Sequence, residues 1–168
     1  HDRVWVVLAE TLLAQAEYDG IDALEQELKT RSADSPFLFQ LLDVQGRRWK
    51  QQAPPDFEKA REYLRAAVLD PQGKGTLTAA RCQTLIGETH LLQNQLDDAV
   101  REYFKVYLNH PHDSLRAPAL LQAALCELKL GKNDAAIRDF REVVASFPQS
   151  PEAVRASDEL KKLKAAVP

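Results

Sequence analysis

DDAVREYFKVYLNHP, Asp97 to Pro111, and DAAIRDFREVVASFP, Asp134 to Pro148, carry one pattern twice, 37 residues apart. Ala99 falls on Ala136, Val100 on Ile137, Tyr103 on Phe140, Val106 on Val143 and Pro111 on Pro148. Within each copy the apolar residues recur at three-and-four spacing, which places them on one face of a helix. Small, aromatic, aliphatic and proline positions agree together, so the unit that repeats is a structural one.

The pattern extends outward. FEKAREYLRAAVLDP, Phe57 to Pro71, is a third copy with Ala60, Leu64, Ala67 and Val68 on its face and its proline one residue early. IDALEQEL, Ile21 to Leu28, is a weaker fourth copy around Ala23. Ala23, Ala60, Ala99 and Ala136 are then 37, 39 and 37 residues apart, the size of a helix pair. A second helical stretch precedes each copy: Val4 to Glu17, Phe37 to Gln52, Thr78 to Gln93 and Arg116 to Leu130. Turn chemistry joins the members of each pair at Asp19-Gly20, Pro54-Pro55, Asn94-Gln95 and Gly131-Lys132-Asn133. Pro36, Pro71, Pro111 and Pro148 close successive pairs, because proline cannot continue a helix. A last helix, Pro151 to Ala165, has proline at its start and lysines at its end. The expected architecture is one all-α domain, 1–168, with repeats at 4–36, 37–71, 78–111 and 116–148 and a capping helix at 151–165. No segment alternates strictly enough to read as a strand.

The bulk numbers exclude several functions. A chain with 45% hydrophobic and 28% charged residues can bury a core. Its net charge of −3 offers no basic excess to neutralise phosphates, which argues against nucleic-acid binding. The apolar runs fall short of the ~20 residues a membrane span needs. The chain contains no Met and begins at His1, so it reads as a mature or excised piece of a longer protein. Its two cysteines, Cys82 and Cys126, are too few for a disulfide framework and sit in helical patterns as small buried residues.

The repeats resemble the tetratricopeptide family. The best copy offers Leu120, Ala123 and Ala124, then Gly131, then Ala136, Phe140, Val143 and Pro148. The copy before it offers Ile86, Gly87, Ala99, Tyr103, Val106 and Pro111. The first two copies show no clear small residue facing Ala23 and Ala60. The resemblance implies a right-handed α-solenoid of about four antiparallel helix pairs. It also implies that the first helix of each pair lines a concave side that holds a protein or peptide. The phrase FPQSPEA, Phe147 to Ala153, is similar to repeats of bacterial envelope proteins, which favours the periplasm or envelope over the cytoplasm.

Chemical motifs are few. PQGKGT, Pro71 to Thr76, lacks the first glycine of a phosphate loop and follows a helix, so it reads as a flexible linker. His110-Pro111-His112 has only Asp113 to supplement it, below the three or four ligands of a metal site. Cys82 and His90 lie eight residues apart, two turns of helix and beyond hydrogen-bonding reach. No cofactor and no enzyme activity are expected. Arg47-Arg48-Trp49-Lys50 reads first as favourable charge at a helix C-terminus with Trp49 half buried, and second as an anchor for a peptide carboxylate or an aromatic-rich ligand.

The expected partner groove comprises Trp5, Gln45, Trp49, Arg81, Thr84, Glu88, Leu121, Leu125 and Lys129. Some family members clamp acidic chaperone tails with lysines and asparagines. The matching positions here hold Leu8, Leu12, Gln45, Trp49, Thr84 and Glu88, so that activity is disfavoured. The function expected is a protein-interaction scaffold. The alternative is a structural or oligomerisation module that packs against a copy of itself or a neighbouring domain.

Overall fold

A computed structural model describes residues 2–31 and 35–165. Residues 32–34, inside the first expected repeat, lie outside the described residues. Among the described residues the chain is all-α. The helices are α1 (Asp2–Gln15), α2 (Tyr18–Arg31), α3 (Leu38–Gln51), α4 (Phe57–Leu69), α5 (Leu77–Leu92), α6 (Leu96–Asn109), α7 (Asp113–Lys129), α8 (Asn133–Ser146) and α9 (Pro151–Ala165). Two compact units divide the chain at Thr89 and His90, inside α5.

In the first unit, Ala9 and Leu13 of α1 pack with Ile21, Leu24 and Leu28 of α2 and with Leu41 and Val44 of α3. Leu42, Leu64, Ala67, Cys82 and Ile86 form the next cluster, from α3, α4 and α5. In the second unit, Ala99, Tyr103 and Val106 of α6 pack with Ala119, Ala123 and Cys126 of α7. Leu121, Ala124, Ala136, Phe140, Val143 and Ala156 carry the core on through α8 to α9. In each unit, neighbours in sequence are neighbours in space, because a lone hairpin cannot cover its own apolar face.

Ala60, Ala99 and Ala136 are fully buried, as the repeat requires. Ala23 is a correction: it is exposed, and fully buried Ile21 takes the position. The missing small residues are also present. Ala9, Gly46, Gly87 and Ala124 occupy one position of the first helices, and all are buried. Gly46 is the small residue opposite Ala60. A Cβ there would lie 2.5 Å from Leu64 Cγ and 3.3 Å from the Ala60 carbonyl.

The turns repeat too. Ala16, Asn94 and Gly131 adopt positive φ at 58°, 58° and 74°. After each, the next amide donates to a carbonyl five residues back: Glu17 to Leu12, Gln95 to His90 and Lys132 to Glu127, all at 2.9 Å. This left-handed cap ends a helix by satisfying its last carbonyls. The first turn is therefore Ala16-Glu17, and the expected Asp19-Gly20 turn lies inside α2. Gly20 serves contact instead, since a Cβ there would meet Leu12 Cδ1 at 3.0 Å.

The starts of α4, α5 and α9 carry oxygen caps. Asp56 accepts from the Lys59 amide at 2.9 Å, Thr76 from Ala79 at 3.2 Å and Ser150 from Ala153 at 3.1 Å. Within Pro71–Thr76 only Gly73 is buried, and Pro71, Gln72, Lys74 and Gly75 are exposed. Pro71–Gly73 form a 3-10 turn, and buried Gly73 sits 3.1 Å from Phe39 and from the Ala67 carbonyl by the same Cβ measure.

Candidate partner-binding face

The first helices of the first unit present a line of alternating charge. Arg47 of α3 pairs with Glu10 of α1, and Arg81 of α5 pairs with Asp43 of α3. Lys50 of α3 pairs with Glu88 of α5. The partners lie 37 or 38 residues apart, so each bond ties one repeat to the next. Exposed pairs alone stabilise little. Asp43 differs because its side chain is only 1% exposed. It also accepts from Arg47 Nε at 3.2 Å and from Cys82 Sγ at 3.3 Å. Two of its three donors, Arg81 and Cys82, come from α5 and fix the spacing of α3 and α5. Burial opposes the charge on Arg47. The bond to Glu10 and the field of Asp43 outweigh that and hold its pKa above the ordinary value. Burial and then Asp43 push the Cys82 thiol up, so it stays a thiol and not a nucleophile.

A second polar cluster lies between α2 and α3. Gln45 is fully buried, and its Nε2 donates to Asp22 at 2.9 Å and to Glu25 at 2.7 Å. Arg48 donates to Asp22 at 2.8 Å and to Gln45 Oε1 at 3.3 Å. Lys29 also donates to Glu25. Burial, followed by the charge of Glu25, pushes the Tyr63 hydroxyl up to about 12.

These contacts sort the expected groove residues. Gln45 is a correction: its amide is spent inside the protein and lines no surface. Trp49 is half buried as expected. Its ring already carries Arg48 at 4.2 Å and Lys59 at 3.9 Å from the centroid, so its face is occupied. Trp5 is half buried against the α1–α3 cluster, with Arg31 at 6.0 Å. Thr84 donates to the Ala80 carbonyl at 2.9 Å. Arg81 and Glu88 keep 44% and 41% of their side chains exposed, which leaves them the accessible polar groups of the set in the first unit.

In the second unit Leu121 is another correction. It is buried in the cluster that includes Ala156, and Leu125 packs against the same cluster together with Leu160 and Leu163 of α9. The final helix covers both leucines. Lys129 is exposed. Sequence reasoning missed Glu10 and Asp43, and it singled out Arg47 and Lys50 without their partners on neighbouring first helices. Their signal was opposite charges at the repeat spacing on successive first helices.

The envelope-like phrase Phe147 to Ala153 is the turn from α8 to α9. Phe147 is buried edge-on to Tyr107, with centroids 6.2 Å apart, and Ser150 caps α9. With α7, α8 and this turn in place, one comparison bears directly on them: residues 118–150 match the tetratricopeptide repeat pattern. Its fold is similar to the solved structure of MamA AMB-1, at a TM-score of 0.56 and 16% identity, over 100% of this chain and 88% of that one. No curated protein sequence matches the chain. No helix among the described residues is long and apolar enough to cross a membrane.

Proposed function

We propose that the chain is a protein-interaction scaffold that holds a peptide on the side lined by α1, α3 and α5. The observation that carries this is the line Glu10–Arg47–Asp43–Arg81 with Lys50–Glu88. It fixes three first helices by ion pairs and leaves Arg81 and Glu88 half exposed at one end. A rigid face with a few oriented charges binds at low entropic cost and selects by charge. The tetratricopeptide repeat supports the same reading, since that family's first helices line its peptide side. The Phe147–Ala153 phrase supports a bacterial envelope setting.

A displayed library of random peptides, selected on the wild-type chain, tests this. Binders should lose about tenfold or more in affinity for Arg81→Glu or Glu88→Lys. Selected peptides that bind these variants and the wild type equally would overturn the assignment. The second reading, a module that packs on a copy of itself, draws on Val4, Val7 and Leu8. They form an apolar stripe on α1, exposed at 67%, 61% and 42%. A light-scattering mass of twice the chain that Val7→Glu halves would favour it.

A further inference from the structure

Two helices of the second unit present the same three positions: on both the middle one is half-buried and the third exposed, while the first is half-buried on α6 and exposed on α8. On α6 the residues at the 37-residue equivalents of Arg141, Val144 and Ala145 are Phe104, Tyr107 and Leu108. Phe104 and Tyr107 are covered by the next pair, packing against the cluster that contains Phe140 and Phe147. The Tyr107 hydroxyl donates to Glu142 of α8 at 2.7 Å, and Asp97 of α6 accepts from Lys132 at the start of α8 at 2.6 Å. A second helix thus lies across α6 and supplies a carboxylate at that point.

The helix α9 packs on both α8 and α7, as the first helix of a further pair would. Among the described residues nothing lies across α8 as α8 lies across α6. A groove of about 350 Å³ is found there instead. Its floor is Val144 and Ala145 of α8 with Leu160 of α9, and its edges carry Arg141, Lys161 and Lys164. None of its lining residues is acidic. Lys161 pairs with Asp158 at 3.0 Å, but both groups are exposed and such a pair yields readily to a competing carboxylate. The lining follows helical spacing on both walls: 141, 144 and 145 on one side, 157, 160, 161 and 164 on the other.

We propose that this α8–α9 groove is a docking site for an acidic amphipathic helix from a protein partner. The apolar stripe of that helix would seat on Val144, Ala145 and Leu160, with carboxylates on its flanks meeting Arg141, Lys161 and Lys164. The mode is helix-in-groove recognition, in which spaced apolar anchors supply affinity and flanking charges set register and partner choice. The site is separate from the first-helix face and stands whether or not that face binds a peptide.

The test uses two labelled synthetic helices with leucines at three-and-four spacing, one flanked by glutamates and the other by lysines. Anisotropy titration should show the glutamate helix binding, and the lysine helix binding at least about tenfold more weakly. The triple variant Arg141→Glu, Lys161→Glu, Lys164→Glu should reverse that preference, with an unchanged helical circular dichroism spectrum. Failure of the glutamate helix to bind, or equal affinities unmoved by the triple variant, overturns the proposal. A dimer in sedimentation equilibrium that the triple variant dissociates also overturns it, because the occupant is then a second copy of the chain.

Discussion

The hairpin α1–α2 and the hairpin α7–α8 are built on the same register and filled in opposite ways. Four residues after its buried small position, α8 places Phe140, fully buried in an apolar cluster. Four residues after Ile21, α2 places Glu25, 2% exposed and held by Gln45, Lys29 and Tyr63. Leu64 and Tyr103 fill the same position in the two copies between. One backbone frame therefore tolerates either a ring or a carboxylate at its centre, provided every oxygen finds a donor. The difference teaches that the frame is set by close approach at Ala9, Gly46, Gly87 and Ala124, and that the large position is free to vary in chemistry.

Five measurements can break or sharpen that contrast. The largest effect should come from Phe140→Ala, which empties the apolar version and should cost about 3–5 kcal/mol in urea unfolding. Glu25→Ala should cost about 2–3 kcal/mol, because Gln45 and Tyr63 lose a buried acceptor. The double variant Glu25→Leu, Gln45→Leu should recover most of that loss; if it is no better than Glu25→Ala, the two fillings are not interchangeable. Ala136→Leu should cost about 2 kcal/mol by overpacking α7 against α8, and an unchanged melting temperature would count against the register. Ala16→Gly should stabilise the first hairpin by about 1 kcal/mol, because its φ of 58° strains any side chain while Gly131 sits at 74° without penalty.

A further effect is one of pH. Burial, with Asp139 beside it, raises the Glu127 carboxyl to about 7. The folded state then holds a proton that the unfolded state releases at ordinary carboxylate pH. Stability should be fullest below about 4.5, the unfolded value, and fall as pH rises towards about 7. Glu127→Gln should flatten that slope in thermal melts between these limits.

Much of the frame was legible because Ala60, Ala99 and Ala136 stand in register with prolines and apolar faces that agree. The first hairpin was misread for two physical reasons. Glu25 sits where an aromatic or leucine would have fixed the register, so Ala23 drew the alignment two residues away from Ile21. Asp19-Gly20 has the chemistry of a turn, while the real turn uses an alanine in a conformation that alanine resists. The candidate face was legible in part. Arg81 and Glu88 are half exposed, but burial of Gln45 and the covering of Leu121 and Leu125 by α9 depend on contacts between elements far apart in sequence. The charge line was the readable signal left unread, since it needs only opposite signs at one repeat's distance.

Gly46 and Leu64 bear on how this chain can change over time. With 2.5 Å between a hypothetical methyl and a fully buried leucine, neither position can drift alone. A larger residue at 46 becomes viable only after 64 has shrunk, and a shrunken 64 leaves a void until 46 grows. The two sites are thus bound to an order of substitution, 64 before 46, with a cavity in the intermediate.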